Sequence, residues 1–254
     1  MINIENAKKE FLEYVKNYDS TNPNIHRKIY HSLRVMECSK AIAESLNLNE
    51  EQVDLATLIG LLHDIARFKQ YKIYNSFSDK NIDHGDNAIK ILEEDNFIRK
   101  FIKEDKYDDI IKNAIRNHNK FKIQDGLDEM SLVYSKIIRD ADKLDIFYEG
   151  VEMFWETEEE KQIISQDSIS KDYLEKVKLQ ECILKTTQKR SLLDRVVFII
   201  TLIFDINFKY SFKYILENDF VNKILDKFVY EKDSTRNQIE IIKKSAIDYI
   251  NQNL

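Results

Sequence analysis

The run NEEQVDLATLIGLLHD, from Asn49 to Asp64, opens on Asn49 with Gln52 three residues later, the spacing of a capping box that starts a helix. Val53, Leu55, Ala56, Leu58, Ile59, Leu61 and Leu62 follow, apolar on nearly every side of that helix, so it belongs in the centre of a core. It ends in His63 and Asp64. A carboxylate at the end of so apolar a helix is costly to bury without a cation or hydrogen-bond donors. A metal ion answers that cost, because it supplies charge for Asp64 and accepts the lone pair of a neutral His63.

The rest of the chain agrees with a helical reading. Its 254 residues are 43% hydrophobic and 33% charged, enough for a sizeable core and against general disorder. Only four Gly and one Pro punctuate it, too few turn residues for a sandwich or a doubly wound sheet. The expected class is all-α. The formal charge of −6 argues against a nucleic-acid binder held by a broad basic surface. Cys38 and Cys182 have neither metal-ligand nor redox spacing and suit buried thiols in a reducing cytosol. The start, MINIENAKKEFLEYV, has no signal-peptide core. The most apolar run, Val196 to Phe204, lies between Arg195 and Asp205 and is too short to cross a bilayer. A cytoplasmic location without membrane partners is expected.

Phe11, Leu12, Tyr14, Val15 and Tyr18 mark a first helix, ended by the run Asp19 to Pro23. A second helix is predicted over about 27–46, before the one that Asn49 opens. The weaker pattern from Lys69 to Asp83 reads as a long loop whose Tyr71, Tyr74 and Phe77 pack or wall a pocket. Further helices are predicted over 84–94, 107–118 and 129–148. A charged tract, Glu156 to Lys161, follows, and then three or four more helices. The expected organisation is an N-terminal helix (1–24) on a core (25–150), with a C-terminal helical extension (151–254).

Five histidines occur, and four of them fall in suggestive settings: His31 in KIYHSLRV, His63 in GLLHDIARFKQ, His84 in NIDHGDNA and His118 in IRNHNKFK. An acidic cluster, IIRDADKLD, follows at 137–145. Any one of these histidines is more often a hydrogen-bonded residue than a ligand; the adjacent His63-Asp64 pair changes that weighting. His26 lies outside the pattern and reads as a surface or capping residue.

The order H…HD…H…H…D in a helical chain resembles the HD-domain superfamily of metal-dependent phosphohydrolases, over about residues 25–150. The resemblance implies an HD-type helical bundle core with additional C-terminal helices. It makes His31, His63, Asp64 and Asp142 the ligands of a primary metal, with Asp140 competing for the last place. The two acids lie about 200° apart on a helix, so one ion cannot take both. His84 and His118 fall where bimetallic relatives hold a second ion, with Asp64 bridging. Asn119 stands where some of them have a further histidine, which leaves open a proton-relay or substrate-contacting role for His84 and His118, either of which can also serve as the general acid.

The implied activity is hydrolysis of a phosphate monoester or diester, on a nucleotide or related phosphorylated small molecule, by a metal-activated water. Imidazole-rich ligation suits one or two ions of Mn, Fe, Co, Ni or Zn. Phosphoryl transfer also needs cations around the phosphate oxygens. Lys143 is the first candidate, with Arg67 and Arg34 next because each lies three residues from a ligand on its helix. Two alternatives are an HD-fold di-iron oxygenase and a non-catalytic helical interaction module. The Val196–Phe204 helix is expected to line the pocket or to form a homodimer interface.

Overall fold

Helix α3 (Glu50–Leu62) forms as the spacing predicts, with both hydrogen bonds of the Asn49–Gln52 capping box present. In the computed structural model, which describes residues 2–80, 82–155, 157–183 and 190–254, its Leu55, Leu58, Leu61 and Leu62 are fully buried. The described residues contain helices and no strands. They divide into two compact units, residues 1–142 and 143–254.

In the first unit, α1 (Ile4–Val15) buries Ala7, Phe11 and Val15, one residue per helical turn, and packs on α3. Helix α2 (Pro23–Ser45) pairs closely with α3. Gly60 of α3 lies against Val35, Met36 and Ser39, and His63 lies against His31, so the two helices run antiparallel. A Cβ at Gly60 would stand 2.6 Å from Ser39 Oγ and 2.9 Å from the Val35 carbonyl oxygen, so this close approach needs glycine. After α4 (Ile65–Tyr74), α5 (His84–Glu93) and a 3-10 segment (Glu94–Lys100), α6 (Asp108–Asn117) lies against α5. Gly85 makes that approach possible, because a Cβ there would meet the Ile115 and Arg116 carbonyl oxygens at 3.1 and 3.2 Å. Helix α7 (Glu129–Glu152) carries the chain across the division between the units. Its Tyr134 hydroxyl donates to the Gln52 carbonyl and so ties it to α3.

Two predicted boundaries move. Pro23 occupies the first turn of α2 instead of only closing α1, because Asn22 caps the helix and the missing proline N–H costs nothing there. The stretch expected to be loop from Lys69 is helical as far as Tyr74. Phe68 and Gln70 are buried on α4, and Asn75 ends it in the left-handed region at φ 47°.

The second unit continues through α8 (Glu158–Gln166), α9 (Lys171–Lys178), α10 (Leu192–Thr201), α11 (Lys209–Glu217), α12 (Phe220–Leu225) and α13 (Asp233–Asn253). Helix α8 begins inside the charged tract and five described helices follow it, where three or four are expected, because short helices end at polar turns such as Asp167 and Asp219. Glu156, which opens the tract, lies outside the described residues. The apolar run 196–204 is split between α10 and a 3-10 segment (Leu202–Asp205). Among the described residues no helix is long and apolar enough to cross a membrane. Cys38 and Cys182 are half-buried thiols.

Candidate metal centre

Helix ends bring the chemistry together. His63 is the C-cap of α3, and Asp64 stands in the corner between α3 and α4, where its carboxylate makes no capping bond. His84 is the first residue of α5, and His118 closes α6. His31 lies inside α2, and Asp142 lies on α7. A side chain at a helix terminus leaves the bundle axis, so elements packed side by side can aim such residues at one point.

They do so in two groups that share Asp64. His31 Nε2 lies 3.2 Å from His63 Nε2, 3.4 Å from Asp64 Oδ2 and 3.3 Å from Asp142 Oδ1. His63 Nε2 is 3.6 Å from Asp64 Oδ2 and 3.8 Å from Asp142 Oδ1. On the other side of the same carboxylate, Asp64 Oδ1 is 3.5 Å from His84 Nε2 and 3.7 Å from His118 Nε2, and those two nitrogens are 2.9 Å apart. His31, His63, Asp64, His84 and His118 are all buried. Asp142 is the acid of the 140–142 pair that faces these histidines, while fully buried Asp140 lies about 200° round the helix.

Residues 29–146 match the family model of the HD domain. Over that stretch the chain carries an HD domain. No curated protein and no solved structure matches it. The HD domain is the fold of a superfamily of metal-dependent hydrolases, and the donor groups here can hold a metal.

The donor chemistry fits a cation. His118 Nδ1 lies 2.6 Å from the Ile115 carbonyl and His63 Nδ1 lies 2.7 Å from the Gly60 carbonyl; a carbonyl only accepts, so both Nδ1 atoms carry the proton. His84 Nδ1 lies 2.8 Å from the Asp79 carboxylate and donates to it. In neutral rings every one of these Nε2 atoms is then a bare lone pair. Two of them face each other at 2.9 Å beside Asp64 Oδ1, a buried oxygen with no hydrogen-bond partner. Lone pairs crowded this way repel unless a positive charge sits among them.

Electrostatics of the HD domain keep the donors in binding form. Burial pushes His63 down to about 3 and His84 down to about 4, so both are neutral near pH 7. Burial alone would raise Asp64, but Lys28, His63 and Arg67 outweigh it and hold the carboxyl well below its usual range. Asp142 is likewise held low against burial, chiefly by its hydrogen bond with His31.

The other predicted residues are placed as follows. Arg67 is half-buried and faces acids of the site: its Nε is 3.3 Å from Asp64 Oδ1 and its Nη1 is 2.8 Å from Asp79 Oδ1. Lys143 is buried and pairs with Asp205 at 2.8 Å. Arg34 is half-buried on α2. Asn119 donates to Asp83 Oδ1 at 3.0 Å, and its Nδ2 lies 3.1 Å from His84 Nδ1, behind the ring and away from Nε2. The Tyr71 and Phe77 rings lie 4.9 Å apart, tilted by 37°, and Tyr74 is exposed. His26 is exposed against Tyr30.

Two residues absent from the sequence reading join the site. Lys28 donates to Asp64 Oδ2 at 2.7 Å, and Asp79 holds His84. Lys28 was detectable, since it lies one helical turn before His31. Asp79 sits in a loop, where no periodicity signals a contact.

Proposed function

We propose that this chain is a metal-dependent phosphohydrolase that cleaves a phosphate monoester or diester in a small, nucleotide-like metabolite. The observation that supports it is the pair of buried donor groups sharing one carboxylate, Asp64, within an HD domain. Imidazole-rich sets of this kind suit Mn, Fe, Co, Ni or Zn. Such a cation, when bound, polarises a phosphoryl oxygen and brings the pKa of a water to about 7.

The chain's own residues do the rest. His31, His63, Asp64 and Asp142 would hold the primary ion, and His84 and His118 with Asp64 would hold a second. Lys28 and Arg67 offset the Asp64 charge and fix its rotamer. Lys143 and Arg34 are the candidates for the substrate phosphate, whereas the contacts of Arg67 suit it to orienting Asp64 and Asp79.

The test is elemental analysis of protein purified without chelators, followed by a screen of phosphate esters with nucleotides first. One or two equivalents of a transition metal, lost in Asp64→Ala, with phosphate release that needs the metal, are expected. A wild-type protein that is empty and refuses added Mn or Ni overturns the proposal. Two irons with O₂ uptake and no phosphate release overturn it in favour of an oxygenase.

A further inference from the structure

The loop after α4 is tied down by two α4 side chains. Arg67 Nη1 donates to the Phe77 carbonyl at 2.8 Å, and Gln70 Nε2 donates to the Ser78 carbonyl at 2.9 Å. Arg67 Nη1 also donates to Gln70 Oε1, so the two side chains brace each other. Their joint effect is to present the next residue, Asp79, to the site. Its carboxylate divides its work: Oδ1 accepts from Arg67 at 2.8 Å and Oδ2 accepts from His84 Nδ1 at 2.8 Å. Arg67 Nε reaches Asp64 Oδ1 at 3.3 Å, and Asp64 Oδ1 is 3.5 Å from His84 Nε2, so the four residues close a ring.

Asn119 makes this ring consequential. Its Nδ2 lies 3.1 Å from the same His84 Nδ1 that Asp79 engages. Its other bond, to the Asp83 carboxylate, which only accepts, orients the amide with N–H toward His84. A neutral imidazole has one proton. If Asn119 were the only partner of Nδ1, that nitrogen would accept, the proton would move to Nε2, and Nε2 could no longer ligate. A carboxylate at Nδ1 has the opposite effect.

We infer that Asp79 is a positioning residue for the second donor group: against the competing amide of Asn119, it holds His84 in the tautomer whose Nε2 lone pair faces His118 and Asp64. This rests on the metal reading above and extends it to the loop 75–80. Outer partners of metal-bound histidines commonly change affinity 10- to 100-fold when removed.

The experiment titrates metal-free protein with Co²⁺, following the visible ligand-field bands and the stoichiometry. Wild type is expected to take two equivalents. Asp79→Ala should keep the first unchanged and weaken the second 10- to 100-fold, with loss of its bands. Asp79→Asn, which keeps an acceptor oxygen for Nδ1–H, should retain the second, and Asp79→Ala/Asn119→Ala should regain most of it. In metal-free protein, imidazole ¹⁵N shifts should show the His84 proton moving from Nδ1 to Nε2 in Asp79→Ala only. Two equivalents bound equally well by wild type and Asp79→Ala overturn the inference and leave the metal reading standing. Equal weakening of both equivalents makes Asp79 a purely structural residue and also overturns it, as does a double variant no better than Asp79→Ala. Wild type that takes one equivalent overturns the second position and the inference with it; wild type that takes none overturns the metal reading itself.

Discussion

Replacing Gly60 by Ala tests whether the close approach of α2 and α3 builds both the core and the primary donor group. A Cβ there would stand 2.6 Å from Ser39 Oγ, 2.9 Å from the Val35 carbonyl oxygen and 3.0 Å from Met36 Cα. The Ser39 hydroxyl can turn aside, but the other two atoms belong to the α2 backbone. They fall about half an ångström short of the 3.4 Å at which ordinary contact begins. The helices must therefore separate by roughly that amount. Overpacking of this kind costs about 1–3 kcal/mol, and the better helix propensity of Ala returns about 1 kcal/mol. The expected net effect on the metal-free protein is a destabilisation of about 1 kcal/mol, read as a lower urea midpoint by circular dichroism. The effect on binding is sharper. His63 lies one turn from Gly60 and is hydrogen-bonded to its carbonyl, while His31 rides on α2. Half an ångström between them exceeds the roughly 0.2 Å tolerance of metal–ligand distances. Co²⁺ affinity at the His31–His63 position should fall by about tenfold or more, a change of about 1.4 kcal/mol. A variant that is more stable than wild type by about 1 kcal/mol and binds Co²⁺ unchanged would refute the reasoning.

Three further outcomes are expected. With chelator present, stability should fall as pH drops below 6.5: the folded chain keeps His63 and His84 neutral down to about 3 and 4, while the unfolded chain takes up their protons. Each contributes a loss of about 2 kcal/mol at pH 5, and the same denaturation midpoint at pH 7 and pH 5 would count against it. Asn49→Ala removes the cap of α3 and should cost about 1 kcal/mol in thermal or urea unfolding, while Asn49→Asp should be nearly neutral. Lys143→Ala should keep its metal and lose turnover on a phosphate ester; unchanged kinetics would leave Lys143 as the ion-pair partner of Asp205 alone.

Much of this protein was legible in residue order. The capping box at Asn49, the all-round apolar α3 and the adjacent His63-Asp64 are local features, and local features need no knowledge of where other segments lie. Helical spacing showed that one ion cannot take both Asp140 and Asp142, while the choice of Asp142 came from the family resemblance; the same spacing would have picked out Lys28, one turn from His31. The helical end of α4 was harder, because an aromatic and polar run is helical only when neighbours bury Phe68 and Gln70. The roles of Arg67 and Asp79 were beyond reach. Spacing from Asp64 pointed to Arg67 as a phosphate cation, yet its nearest acids are Asp64 and Asp79.

The sequence by itself determined the helical class and the burial of α3, because period, capping and composition act within a few turns of chain; the set of candidate donor residues came from the resemblance of its motif order to the HD superfamily. The tertiary structure alone decided which oxygen of Asp64 each donor group faces, and that Asp79 and Asn119 meet at one nitrogen of His84. Those juxtapositions join residues from α2 to α7 and depend on helix packing held to tenths of an ångström at Gly60 and Gly85, a distance scale that no linear pattern encodes.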